Sequence, residues 1–407
     1  TAHNYEMAHK WLSQITNKSL YNKWKIYLML LPSIMPLSIE HEKTTVTKLI
    51  NNMNKILEMP YTPIPMSICI HTFWYGYYKT NLKHILEKYA MIQEKFFPEI
   101  SRHKYEFSTK TRITQDIVSE TKIKPIRLGI ISPSLIPNIE IDNKYIHCSS
   151  ISDSFYLTFK QFDSDKFEVV YIHFGKDPQI YGGHDKNNYY IPINNFSTCK
   201  DIQDAQNNII DLDLDILLFL DFHMQPMLNF LALSKMAPVQ ICTHGHPITS
   251  GLNNDIMDYF ISWKAAEIDG AQEHYTENLE LITPDVVWEY YEYRNKITDT
   301  EKVSLLTNES WKHYTRENID YIPNIDISNN WYFCPQACFK FHIEFDYILG
   351  EILRRDSNAI IILIDNKKES FSLDDRHIKR MKSLNIDLHR IIFVDKLPHH
   401  KLMALYS

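Results

Sequence analysis

The sequence predicts an α/β protein: an all-helical N-terminal part followed by two doubly wound units in tandem, the second shorter than the first. Three observations predict it. Apolar residues recur at three- and four-residue spacing through roughly the first 120 positions. From Ile126 onward, short β-rich runs alternate with helix-like segments. A second strand–helix series opens at Trp331, after a long polar stretch.

In the helical part, Tyr5–Thr16, Leu20–Leu31, Thr44–Glu58 and Asn81–Phe97 each carry an apolar stripe and are separated by Pro or Asn-rich turns. Their aromatic and aliphatic positions read as core packing. No 34-residue tetratricopeptide period emerges, so residues 1–122 read as a degenerate helical domain. The charged, proline-containing stretch Lys104–Pro125 reads as the linker out of it.

Residues 123–304 form the first α/β unit. Its predicted strands are Ile126–Ser132, Phe167–Phe174, Tyr189–Ile193, Ile216–Asp221, Val239–His244 and Tyr259–Trp263. Helices are predicted at Ser149–Phe162 and Met224–Met236. Apolar strands between amphipathic helices imply a mostly parallel sheet covered on both faces. Polar Leu305–Asn329 suits a connector. In residues 330–407, strands are predicted at Trp331–Cys334, Ala359–Ile364 and Arg390–Val394, and helices at Glu344–Arg355 and Asp374–Leu384. Two doubly wound units in sequence place a cleft between the carboxyl ends of their strands, where nucleotides bind.

Composition narrows the function classes. The chain has 407 residues, 44% hydrophobic and 23% charged, with a net charge of -7, which gives no electrostatic reason to expect nucleic acid or an anionic membrane as partner. Only 9 residues are glycine, and neither a GxGxxG nor a P-loop pattern is present. A bound phosphate would have to be held by helix N-termini and cationic side chains. The 6 cysteines are scattered without a CxxC pair, which argues against a disulfide framework and for reduced thiols. Cys334 and Cys338 have no matching Cys/His pair to complete a metal site. No apolar run approaches the ~20 residues of a membrane span. Leu28–Leu37 is short and interrupted by Pro32 and Pro36, and Thr1-Ala2-His3 opens no signal-peptide pattern. The expectation is a cytoplasmic protein, in which the Asn-x-Ser triplets at Asn17, Asn195 and Asn308 are chance.

Four linked motifs lie between Asp221 and Ile282. They are Ala237-Pro238-Val239-Gln240, Gly245-His246-Pro247 with Thr249-Ser250-Gly251, Asp258-Tyr259-Phe260, and His274-Tyr275-Thr276-Glu277. In this order they resemble the core of the family 41 glycosyltransferases, the O-linked N-acetylglucosamine transferases and cytoplasmic bacterial N-glycosyltransferases. The resemblance extends to Arg127–Ser132, His147–Gly175, Phe333–His342 and Arg390–Leu397. It implies a GT-B-like pair of facing Rossmann-type domains, with the acceptor side first and the nucleotide-sugar side second. It further implies a UDP-sugar donor, inversion at the anomeric carbon, no metal or other cofactor, and a protein or peptide acceptor modified on Ser/Thr or Asn. In the family, a Gly- and Thr-rich segment follows the strand matched by Arg390–Val394 and opens the helix that holds the diphosphate. Its absence before Ser407 leads to the expectation that the second Rossmann-type domain is incomplete.

The same resemblance assigns residues. Lys340, just after a predicted strand end, matches the lysine that contacts the diphosphate, and Gln336 matches a glutamine contacting the nucleotide. A preorganised cation is the electrophilic group that transfer needs when metal and glycine loop are lacking, typically ~3–4 kcal/mol of barrier. Alone, Lys340 would read as a solvated loop lysine. His147 matches a histidine at the start of the first helix and is a candidate base, against the alternative of a helix-capping or surface histidine. The stretch Pro133–Tyr145 before it is longer than in relatives. His246, Pro247, Thr249, Ser250 and Gly251 are read as a cleft-lining turn presenting amides and hydroxyls to sugar or acceptor. A metal bound by His244 and His246 is disfavoured by that turn. Asp211–Asp215 contains a DxD pattern that reads as polar entry to a strand, and His399-His400 as solvent-exposed. The competing readings are a catalytically inactive scaffold of the same fold and another GT-B enzyme such as an epimerase.

Overall fold

The structure is a computed structural model that describes residues 12, 14–33, 35–69, 72–101, 124–135, 139–141, 144–146, 150–174, 188–191, 198–283, 285, 322, 326, 328–364, 375–395, 397 and 405. Expectations for Tyr5–Thr16, the linker, the connector, His147 and His399-His400 fall wholly or largely outside these residues.

Described residues before position 102 contain only helices: α1 (Lys18–Leu30), α2 (Ile39–Glu58), the short α3 (Thr72–Tyr75), α4 (Lys83–Phe96) and α5 (Pro98–Ser101). Asn17, one of the Asn-x-Ser positions, caps α1 by accepting from the Leu20 amide. Ser38 caps α2 in the same way through the His41 amide, which starts this helix five residues before the predicted Thr44.

Seven parallel strands follow in the order β5-β4-β1-β6-β7-β8-β9. They are β1 (Ile126–Ile131), β4 (Phe167–Phe174), β5 (Asn188–Ile191), β6 (Ile216–Phe219), β7 (Val239–Thr243), β8 (Tyr259–Trp263) and β9 (Asn278–Ile282), with a small hairpin of β2 (Ile139–Ile141) and β3 (Lys144–Ile146) outside the sheet. The first six have the doubly wound nucleotide-binding order, so the strand sequence reverses direction at β1, between β4 and β6. Successive residues of a strand point to opposite faces, and here both faces are buried. Leu218 and Leu220 pack under α6 (Ser150–Lys160) with Ile151, Phe155 and Phe159. Leu217 and Phe219 pack on the other face with Ile202 and Ile209 of α7 (Cys199–Ile210).

That second face also receives the helical part. Met53, Leu86 and Phe96 belong to the same buried cluster as Leu217, Phe219 and Phe260. The predicted helix Met224–Met236 is only α8 (Pro226–Leu231), which opens with Pro226 in its first turn and gives way to a turn after Leu231. Asp215 accepts from the Arg127 amide at 2.7 Å, so the DxD pattern is the entry to β6.

The second sheet has the order β10-β11-β12, all parallel: β10 (Asn330–Ala337), β11 (Ala359–Ile364) and β12 (Ile391–Val394), linked through α9 (Ile343–Arg355) and α10 (Asp375–Ser383). It has its own buried clusters, around Leu349, Ile361 and Met381 on one face and Ile362 and Val394 on the other. The protein is therefore α/β, with two separate parallel sheets.

Candidate functional site

Doubly wound sheets bind ligands beyond the carboxyl ends of their strands, at the point where strand order reverses. Here that edge carries Ser132 and Ser134 after β1, Asp221 after β6, and the His244–Gly251 turn after β7. The turn presses on its neighbour: a Cβ at Gly245 would lie 2.1 Å from the Leu220 carbonyl oxygen, so no larger residue fits there.

Asp221 is fully buried, and among the described residues the groups facing its carboxylate are the Ser134 and Ser132 hydroxyls. Burial pushes its carboxyl up to about 6, opposed by the facing hydroxyls of Ser134 and Ser132. A buried carboxyl shifted by desolvation at a switch point is a functional-site feature. It was not singled out from sequence, where it closes an apolar run and looks like an ordinary strand end.

His246 is buried with its Nδ1 unpartnered among the described residues. Burial, then the neighbouring His223 and Lys340, push its imidazole down to about 3, so it is neutral at physiological pH. Behind it, His223 lies 2.8 Å from the Thr249 carbonyl through Nε2, and burial lowers it to about 4. His244 points elsewhere, accepting at Nε2 from the Trp263 indole at 3.0 Å. Among the described residues no group of three or more His, Cys, Asp or Glu side chains is placed to hold a metal ion.

The remainder of the turn corrects the sequence reading. Thr249 and Ser250 are buried. Glu277 takes up their polar groups, accepting from the Thr249 hydroxyl at 2.7 Å and from the Ser250 amide at 2.6 Å. Gly251, at φ +75°, backs onto Leu86 of α4. Pro247 is exposed. Thr249, Ser250 and Gly251 therefore shape the turn and attach it to the helical part, and the side chain they turn inward is His246.

Lys340 lies beyond the carboxyl end of β10, in the short turn Cys338–Lys340. Its Nζ is 5.9 Å from the ring centroids of both Tyr77 and Phe339. Among the described residues no carboxylate or hydrogen-bond acceptor pairs with it. Half-burial lowers its pKa. Gln336 is exposed and bonds the adjacent Ala337 amide through its own side chain.

One aromatic cluster joins the two sheets' edges. Phe73 lies 5.0 Å from His246 and 6.1 Å from Phe339, while Tyr77 lies 6.0 Å from His246 and 5.7 Å from Phe339. The structure thus brings Lys340 and His246 to a common centre, and the bridge between them comes from the helical part. Aromatic runs inside a helical region read as core from sequence, so Phe73 and Tyr77 were not identifiable there.

No family model matches the chain, and no curated protein matches it. Among solved structures, a variant of the O-GlcNAc transferase of Thermobaculum terrenum is similar at a TM-score of 0.48 and 13% identity, over 99% of this chain and 72% of that one. A glycosyltransferase from Rickettsia africae is similar at a TM-score of 0.36 and 12% identity, over 70% of each chain.

Proposed function

We propose that this chain is an inverting, metal-independent glycosyltransferase that moves a sugar from a UDP-sugar to a protein side chain, with the diphosphate at Lys340. One observation carries the proposal. A half-buried ammonium with no counter-ion among the described residues stands at the carboxyl edge of one parallel sheet, facing the buried His246 turn at the carboxyl edge of another. An unpaired cation in a partly dehydrated site attracts an anion more strongly than one in water. The resemblance of Phe333–His342 and of the Asp221–Ile282 motifs to the family 41 glycosyltransferases names that anion as a nucleoside diphosphate.

In the proposed reaction the bond from the anomeric carbon to the diphosphate breaks. Its electron pair stays on the diphosphate oxygen, where Lys340 stabilises the developing charge. A Ser/Thr hydroxyl or an Asn amide nitrogen bonds to the anomeric carbon from the opposite face, and its proton passes to a base on the acceptor side. The resemblance assigns that base to His147. Asp221, whose carboxyl burial pushes up to about 6, stands at the same end of the first sheet and is a second group able to take a proton there.

The test is incubation with UDP-N-acetylglucosamine or UDP-glucose and a Ser/Thr/Asn peptide library, read by mass spectrometry. Peptide gaining one sugar, with at least about a hundredfold less product from Lys340→Ala, supports the proposal. UDP binding without transfer to any acceptor points to a scaffold that retains the nucleotide site. Absence of both UDP binding and transfer overturns the proposal.

A further inference from the structure

The helical part does more than cover the first sheet. Glu42, in α2, is buried, and its two carboxylate oxygens hold two different segments of chain. One accepts from the Lys79 amide at 2.7 Å and the other from His342 Nε2 at 2.8 Å. His342 is also the N-cap of α9, its Nδ1 accepting from the Glu344 amide at 3.2 Å. With Nδ1 as acceptor, the ring proton sits on Nε2 and is donated to Glu42.

The two segments are those that bear the aromatic bridge and the cation. Lys79 lies two residues after Tyr77, and His342 two residues after Lys340. Tyr77 and Lys340 face each other at 5.9 Å. Around this point Lys79 Nζ pairs with Glu344 at 2.5 Å, Trp74 meets Phe339 at 5.3 Å, and Arg380 donates to the carbonyls of both Phe341 and Pro36. The gap left between Trp74, Tyr77, Phe339 and His342 is only about 10 Å³, room for about one water.

We propose that Glu42 is a positioning residue for Lys340: its carboxylate clasps the Tyr77 and Lys340 segments together and so sets where the ammonium stands. This rests on the reading of Lys340 as the anion site. A buried carboxylate is costly to desolvate, and an apolar pair of similar volume would join the two segments at less cost. Apolar contact, however, does not fix the separation of two backbones, whereas two hydrogen bonds from one carboxylate do. Among the described residues the groups facing the ammonium are Tyr77, Phe339 and His246, all presented by segments this clasp or the β7 turn holds in place.

The experiment follows Lys340 by NMR in protein whose lysines carry ¹³C-methyl groups, assigned with Lys340→Arg, through a pH titration of wild type, Glu42→Ala, His342→Asn and the double variant. Asparagine keeps the α9 cap but is too short to reach Glu42. Loss of the clasp is expected to move the Lys340 titration up toward that of an ordinary lysine in either single variant. The double variant should move it no further, because both substitutions remove one shared bond. UDP affinity should fall by about tenfold, the usual effect of a charged hydrogen bond. An unchanged Lys340 titration in folded Glu42→Ala or His342→Asn overturns the inference. If wild type does not bind UDP, the functional proposal falls while the titration still decides the role of Glu42.

Discussion

The helical part makes two interfaces of different chemistry. Against the first sheet it shares one large buried apolar cluster, with Phe97 edge-on to Phe230 at 5.3 Å, and a few hydrogen bonds pin that cluster, such as those from Gln206 at 3.1 Å and Ser234 at 2.6 Å to the Ile100 carbonyl. Against the second sheet, charged and polar groups (Glu42, Lys79, Glu344, Arg380) surround a few aromatic rings. A shared apolar core makes the helices and the first sheet one folding unit, since neither can expose that surface cheaply. A small polar interface around aromatic contacts is the kind that can open, as inter-domain interfaces within a chain commonly do. The contrast teaches that the helices serve as a fixed wall of the first unit and as a positioning contact for the second.

The strongest way to break this contrast is Arg380→Ala. The guanidinium bonds buried Asp346 and the Phe341 and Pro36 carbonyls, so its loss leaves that interior carboxylate with His377 Nε2, at 3.1 Å, as its remaining side-chain partner among the described residues. The expected cost is about 3–5 kcal/mol. In hydrogen exchange the amides of β11 should lose protection while those of β6 keep it. Equal loss in both sheets would mean that the two units unfold as one.

Asp221→Asn sharpens the first side. Between pH about 4 and 6 the folded chain keeps a proton on Asp221 that the unfolded chain has released, so this group's contribution is lost as pH rises through that window. The Asn variant should therefore gain on wild type from pH 4 to 7, by about 3 kcal/mol at most. His246 and His223 act with the opposite sign: their depressed values destabilise the fold as pH falls below ~6.5, down to their own titration. Denaturant midpoints of the two proteins across this range measure both.

Gly76→Ala probes the meeting point. A Cβ there would lie 2.6 Å from Cε1 of His246. The overpacking should cost about 1–3 kcal/mol. Removing the ring as well, in Gly76→Ala/His246→Ala, should recover part of that loss, visible as non-additivity in a double-mutant cycle. At the small end, Glu351→Ala removes exposed pairs with Arg354 and Arg355 and should leave the melting temperature unchanged.

Much of the fold was legible because buried parallel strands write themselves as apolar runs. Ile126–Ile131, Phe167–Phe174 and Val239–Thr243 were found that way. Strand β9 was not, because at the sheet's edge Asn-Leu-Glu-Leu-Ile is short and largely exposed and makes no continuous apolar run. The site was less legible. Lys340 and His246 emerged only through family resemblance, since a loop lysine and a turn histidine are common. Glu42 reads as a solvated helix charge, and Asp221 as the polar end of a strand. What distinguishes each is burial among groups 37 to 300 residues away in sequence for Glu42, which no local pattern records. Thr249 and Ser250 misled for the same reason: their partner, Glu277, is close only after folding.

The proposal turns on Lys340, which has no counter-ion among the described residues, taking one from a nucleoside diphosphate. Isothermal titration of UDP and of uridine into wild type and Lys340→Ala tests it most directly. The account requires that UDP bind wild type more tightly than uridine does, and that Lys340→Ala erase the difference while leaving the melting temperature unchanged. Equal UDP affinity in the two proteins would contradict it.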